Sequence, residues 1–351
     1  DIINMSLGDA SAPPPSADPH ARAIQNAAAS GVLVVAAAGN EGPGARTIAS
    51  PATLPSVLSV GMTTNSRFFF ALLRVSAQQP VPPALAVVPA LAGTEPTQTG
   101  PFGPAPLVDV TALDSSGLAC PPSADLPGGV TLPANSLNGR VALVQRGICF
   151  FRDKVRNVAN AGAAAVVIYN NLPNSQPLLM DTTGGQIPSI SIGNRQGFEL
   201  RSFVARAGET QITFDPELAS QPDRPDVLVS FSSRGPIPGS DLKIKPDVLA
   251  PGQYILSAVQ TTNPSGELFT STGFSLQRGT SASAPMVAGA AALLKQAKPR
   301  LTVEEIKSLL VNTADPVTAS EDGAEISAQN AGAGRMNVLA ALTATFRAEP
   351  V

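Results

Sequence analysis

The chain has 351 residues, 43% of them apolar and 14% charged, which supplies a sizeable core and room for about two domains. Its 23 basic and 26 acidic residues leave a net charge of −3 with no lysine or arginine block, which excludes the electrostatic footprint of a nucleic-acid or polyanion partner. The longest apolar runs, such as Val32–Ala38, are far too short to cross a bilayer, so no membrane span is expected.

Asp1-Ile2-Ile3-Asn4 has neither an initiating methionine nor the basic and apolar regions of a secretory signal, so targeting information is absent from these residues. Ile2-Ile3-Asn4-Met5-Ser6 predicts a short strand. Ala21–Ala29 predicts a small-residue helix stopped by Gly31, and Val32–Ala36 a strand buried on both faces. Strand, helix and strand in that order imply a right-handed parallel unit, with function at the carboxyl ends of the strands.

From Gln78 to Pro106 the composition turns proline-rich, and a second such stretch sits at Pro222-Asp223-Arg224-Pro225. Between these boundaries lies a compact unit: a strand at Arg140–Gln145, a helix with Val155, Val158, Ala159 and Gly162 on one face, and a strand at Ala165–Tyr169. Cys120 and Cys149 fall inside it, either as one disulfide in an oxidising compartment or as two free thiols. After Val227 helices return, and Thr302 with Glu305 forms a capping box ahead of Ile306, Leu309 and Leu310. The expected division is therefore 1–77, 78–222 and 223–351, the first and last parts belonging together.

Gly279-Thr280-Ser281-Ala282-Ser283-Ala284-Pro285-Met286-Val287-Ala288-Gly289 carries the strongest chemical signal. A glycine turn can expose Ser281 at a helix start, where the amino end favours developing negative charge. Pro285 removes the amide that would bond the Ser281 carbonyl, which predicts a kink there. The plain alternative is a buried helix with an incidental serine. Asn40, in Ala38-Gly39-Asn40-Glu41-Gly42 just past a buried strand, is either an oxyanion donor or a turn residue.

These segments, with Ile3-Asn4-Met5-Ser6-Leu7-Gly8, Phe231-Ser232-Ser233-Arg234-Gly235-Pro236 and Lys245-Pro246-Asp247-Val248-Leu249-Ala250-Pro251-Gly252, resemble the sequence blocks of subtilases, the subtilisin-like serine proteases. The middle unit, through Gly139–Gly147, Cys149-Phe150-Phe151 and Ala161–Asn171, resembles a protease-associated (PA) domain inserted as in one branch of that family. The resemblance implies that Ser281 attacks the scissile carbonyl and that Asn40 and the Ser281 amide hold the oxyanion. It also implies that Ser6, Leu7 and Gly8 pair with substrate, that Ala38 and Gly39 line an apolar pocket, and that hydrolysis runs through an acyl-enzyme.

The family order is aspartate, histidine, serine, and both earlier residues precede the block that here begins at Asp1. His20, the sole histidine, follows Pro19 at a helix start, and Asp1 and Asp9 match no catalytic motif. A serine without a base is a poor nucleophile, so the chain alone is expected to be nearly inactive. It is also expected to expose a sheet edge and to be poorly soluble. Gly332-Ala333-Gly334 reads as a turn and not as a dinucleotide loop. Asp181, Asp215, Asp223 and Asp241 lack calcium-loop spacing. A structural Ca²⁺ is implied only by the family, with no site.

The expected fold is α/β: an incomplete doubly wound parallel sheet of subtilisin type, interrupted by a small α/β PA-type insertion. The expected function is secreted, extracellular endopeptidase action on protein or peptide substrates, the insertion recruiting or orienting them, with a missing N-terminal segment or propeptide as partner. The rival readings are a non-catalytic scaffold that binds protein through the PA-like unit, and a two-chain enzyme.

Overall fold

The computed structural model describes residues 1–9, 19–94, 100–173, 175–237, 244–263, 268–270, 273–345 and 348. They fall into two compact units: Asp1–Phe68, Gln221–Ser257 and Ser275–Val351 form one, and Phe69–Ser220 with Ala258–Phe274 form the other. The second unit thus begins before residue 77 and also takes a segment from the expected last part. The shift has a simple origin, since proline enrichment starts only at Gln78, after a strand that already belongs to the inserted unit.

The first unit opens with β1 (Ile2–Met5), α1 (Pro19–Ala29), β2 (Leu33–Ala37) and β3 (Val57–Thr63). β1 pairs with β2 and β2 with β3, both in parallel. Leu33, Val35 and Ala37 pack into a core on one face, while Val34, Ala36 and Ala38 pack on the other against Ala21 and Ile24 of α1. A strand covered on both sides needs no polar alternation, which is why its sequence is one apolar run. Among the described residues β1 pairs only with β2, and Ile3 is 42% exposed.

The second unit contains β4 (Arg67–Ala77), α2 (Pro83–Ala86), β5 (Val87–Ala92), β6 (Phe102–Asp109), β7 (Val141–Gln145), α3 (Phe151–Asn160), β8 (Ala165–Tyr169), β9 (Ser189–Ile192), α4 (Asn194–Ala207) and β10 (Thr210–Pro222). Its strands close into a barrel in the order β10-β4-β5-β9-β8-β7-β6. β6 through β9 are parallel neighbours, whereas β4–β5, β5–β9 and β6–β10 are antiparallel. The expected strand, helix and strand are β7, α3 and β8, and the barrel adds further strands to them; β5 and β6, with Pro89, Pro104 and Pro106, are interrupted by prolines. Val141, Leu143, Ala165 and Val167 face a core shared with Leu200 and Phe203 of α4; Ala142, Val144, Val166 and Ile168 face Val155 and Val158 of α3.

Cys120 and Cys149 form a disulfide. Beside it, Asn157 of α3 donates through Nδ2 to Ala119 O (3.0 Å) and Val130 O (2.8 Å) and accepts from Leu132 N (3.2 Å), so one buried amide holds the loop that carries Cys120. Lys154 is fully buried and donates to Leu118 O at 2.5 Å. Burial pulls its ammonium down to about 8, against the attraction of Asp114.

The chain returns to the first unit through β11 (Val227–Leu228), antiparallel to β3, and β12 (Val248–Pro251), parallel to β3. Thr64 and Ser66, leaving the sheet, are bonded to the returning strand: Asp223 N donates to Ser66 O (2.9 Å), Thr64 Oγ1 donates to Arg224 O (2.7 Å), and Thr64 N donates to Val227 O (2.9 Å). β13 (Ile255–Ala258) and β14 (Phe274–Gln277) pair with each other, and α5 (Thr280–Ala297), α6 (Val303–Asn312), β15 (Ala319–Ser320), α7 (Ala328–Ala331) and α8 (Val338–Thr343) follow. Ala284, Val287, Ala291 and Leu294 of α5 cover the face of the sheet opposite α1. α6 starts with the expected capping box, Thr302 Oγ accepting from Glu305 N and Glu305 Oε2 from Thr302 N. The sheet is mainly parallel with helices on both faces.

Candidate active site

The carboxyl ends of β1 and β2 and the amino end of α5 meet in one place. Gly279 precedes α5 at φ 135°, a conformation glycine adopts freely, and its N–H donates to Gly252 O at 2.9 Å. A Cβ on Gly252 would lie 2.2 Å from Ser283 Oγ and 2.7 Å from Gly279 O, so close backbone approach requires glycine there. Ser283 itself is tied to Ala250 O at 3.0 Å.

Asn40 lies three residues past Ala37, the last residue of β2. Its Oδ1 accepts from Thr280 N at 3.0 Å, and Thr280 Oγ1 stands 3.2 Å away. Gly39 N donates to the same hydroxyl at 3.2 Å. The amide is therefore held oxygen-inward on the residue before Ser281, and among the described residues Nδ2 has no hydrogen-bond partner. The Ser281 N–H, in the first turn of α5, has none either, as expected of a helix amino end. Gly39, at φ 112°, has no room for a side chain: a Cβ would sit 2.6 Å from both Glu41 Oε2 and Ser233 Oγ. Glu41 Oε2 in turn accepts from Asn40 N (2.7 Å) and Ser233 Oγ (3.0 Å).

Ser281 is exposed, and its Oγ donates to Ser6 O at 3.3 Å. Ser6 Oγ donates to Ser281 O at 2.8 Å and accepts from Asn4 Nδ2 at 3.0 Å. Pro285 has no amide for the Ser281 carbonyl, and Ser6 supplies the missing donor. α5 runs as one helix from Thr280 to Ala297 with Pro285 inside it, and the donor that Pro285 lacks comes from outside the helix.

Ser6, Leu7 and Gly8 are exposed beyond β1, and Ala38 is buried where β2 ends. Ser281, Asn40, Ser6 and Gly39 are thus linked through Thr280 and direct hydrogen bonds, whereas Cys120 and Cys149 belong to the other unit. His20 lies in the first turn of α1, on the face of the sheet opposite α5, and Asp1 at the far end of β1 from Ser6. Asp9 exchanges backbone hydrogen bonds with Ser50. No carboxylate, imidazole or amine among the described residues bonds Ser281 Oγ. Thr280 as the bridge to Asn40, and the hydroxyl of Ser6, were not legible as such, although both lie within the matched sequence blocks.

Arg278, at the end of β14, is a further residue of this neighbourhood. Its guanidinium lies 4.3 Å from the centroid of the Phe231 ring and 5.6 Å from that of Tyr254. Among the described residues no group of three or more His, Cys, Asp or Glu side chains could hold a metal ion. Asp181, Asp215 and Asp223 belong to no such group, and Asp241 lies outside the described residues. Gly332-Ala333-Gly334 forms the turn between α7 and α8. No helix among the described residues is long and apolar enough to cross a membrane.

The chain is 32% identical to the minor extracellular protease Vpr of Bacillus subtilis over 357 residues, covering 100% of the chain and 39% of that protein. It is 30% identical to the subtilisin-like protease SBT1.5 of Arabidopsis thaliana, covering 96% and 44%. It is 28% identical to a PII-type proteinase of Lacticaseibacillus paracasei, covering 98% and 19%. The chain therefore spans less than half the length of these curated relatives. A model of the subtilase family, Peptidase_S8, matches residues 1–334, nearly the whole chain with both units, and the chain belongs to the subtilase family.

Proposed function

We propose that residues 1–351 are the nucleophile-bearing part of a secreted serine endopeptidase. Ser281 attacks the peptide carbonyl and forms the acyl-enzyme, while Asn40 Nδ2 and the Ser281 N–H receive the oxyanion. The observation that carries this reading is the Asn40–Thr280 hydrogen bond, which fixes the amide oxygen on the residue before the nucleophile and, among the described residues, leaves the two N–H donors without partners. Ser6-Leu7-Gly8 pairs with the substrate backbone, and Ala38-Gly39 lines a small, uncharged pocket that favours an apolar side chain before the bond cut.

A carbonyl oxygen cannot take the serine proton, and Ser281 Oγ donates to one. The triad histidine and aspartate then come from the rest of a longer polypeptide, in keeping with the greater length of the relatives. The barrel unit is a PA-type insertion that recruits or orients polypeptide substrates. Extracellular action follows the name of the Bacillus relative.

The same Ser281–Ser6 contact favours a second reading, a protein-binding scaffold that performs no chemistry. Fluorophosphonate labelling separates the two. The complete protease is expected to label at Ser281, the Ser281→Ala variant not at all, and residues 1–351 alone only weakly. Labelling that persists in Ser281→Ala, or failure to label in the complete protein, overturns the assignment.

A further inference from the structure

The site segments carry few charges. Glu41 is occupied by Asn40 N and the Ser233 hydroxyl. Arg278 is different: it is exposed, three residues before Ser281, and among the described residues its guanidinium makes no hydrogen bond or ion pair. The nearby carboxylate of Glu321 accepts from Ser230 N (3.0 Å) and Gln253 Nε2 (3.1 Å). Tyr254 does not neutralise the cation either, because burial raises its phenol and keeps it protonated.

What holds Arg278 is the pair of rings. Phe231 and Tyr254 lie against the guanidinium, and Tyr254 is itself fixed edge-on against Phe68 at 4.9 Å between centroids. Contact with the rings uses up no hydrogen-bond acceptor, so among the described residues the guanidinium N–H groups remain open to a ligand. A cation so held loses little side-chain freedom when it binds, and its donor fork matches a carboxylate. Three residues of chain reach at most about 11 Å, and an extended peptide rises about 3.3 Å per residue. Arg278 and Ser281 are therefore close along the backbone, and the fork belongs to the same stretch of chain as the nucleophile.

We propose that Arg278 is a specificity residue, its guanidinium receiving an aspartate or glutamate side chain of a polypeptide substrate near the scissile bond. This rests on Ser281 being the nucleophile and concerns a position other than the one lined by Ala38 and Gly39. The test is a mass-spectrometric peptide-library profile of the complete protease, unsubstituted and as Arg278→Gln, Arg278→Lys and Arg278→Glu. Acidic residues are expected to be enriched at one position near the cut. The acidic-to-neutral ratio of kcat/KM should fall roughly three- to tenfold in Arg278→Gln. It should be partly kept in Arg278→Lys, invert toward basic residues in Arg278→Glu, and shrink as salt rises from about 0.05 to about 1 M. A profile without acidic enrichment, or one that Arg278→Gln and Arg278→Glu leave in place, overturns the proposal. Fluorophosphonate labelling of Ser281 in the unsubstituted protease reads the nucleophile separately: labelling without acidic preference removes only the role of Arg278, and absence of labelling removes both.

Discussion

The carbonyl of Ser281 makes Ser6 and Pro285 thermodynamically dependent on each other. Pro285 withholds the helical N–H, and Ser6 Oγ replaces it at 2.8 Å. A neutral hydrogen bond contributes about 0.5–1.5 kcal/mol net. Both serines are exposed, so water can replace part of the bond, and Ser6→Ala should cost about 0.5–1 kcal/mol. Pro285→Ala restores a donor four residues on and should itself stabilise α5, by up to about 3 kcal/mol. In that background the carbonyl no longer needs Ser6, and the cost of Ser6→Ala should fall close to zero. The four proteins of this cycle can be compared by equilibrium urea unfolding with replicate midpoints, which resolves a coupling of about 0.5–1 kcal/mol. Equal costs of Ser6→Ala in both backgrounds would refute the idea that the two residues share one acceptor.

Three other outcomes follow from the geometry. The Lys154 ammonium titrates near 8 in the folded barrel unit against 10.5 in the unfolded chain. The unfolded chain binds the extra proton between those values, so stability should rise from about pH 8 to 10.5, by an amount of order 3 kcal/mol, and Lys154→Met should flatten that rise in a pH series of melts. Replacing Cys120 and Cys149 by serine opens a loop of sequence separation 29 and should lower the stability of the barrel unit by about 3–4 kcal/mol in urea titrations. Gly252→Ala forces a methyl to within 2.2 Å of Ser283 Oγ; it should destabilise the first unit by about 1–3 kcal/mol and slow fluorophosphonate labelling of Ser281 in the complete protease.

The parts legible in the sequence are those where one local pattern has one physical meaning. Val32–Ala38 is apolar throughout because both faces of β2 are covered, and Thr302 with Glu305 caps α6 through bonds three residues apart. The motif around Ser281 was equally visible. Closure of the barrel was not, because it depends on pairings such as Ala90 with Ile192 and Leu107 with Val141, whose partners are far apart in sequence and lie in short segments broken by prolines. The link from Thr280 to Asn40 and the donor from Ser6 to Ser281 are long-range in the same sense. Arg278 carries no sequence signal, since its setting depends on two rings brought in from Phe231 and Tyr254.

The hydrogen bonds that join Thr64 and Ser66 to Asp223, Arg224 and Val227 make the barrel unit, seen from the parent sheet, the loop of a hairpin. Left unstructured, a loop of roughly 150 residues would cost about 2–3 kcal/mol more to close than one of about ten. A barrel that folds by itself brings its own ends together and removes that difference, and having no free strand edges it offers nothing for the parent sheet to mispair with. An excursion bracketed in this way can be gained, lost or exchanged as a module while the residues around Ser281 keep their register.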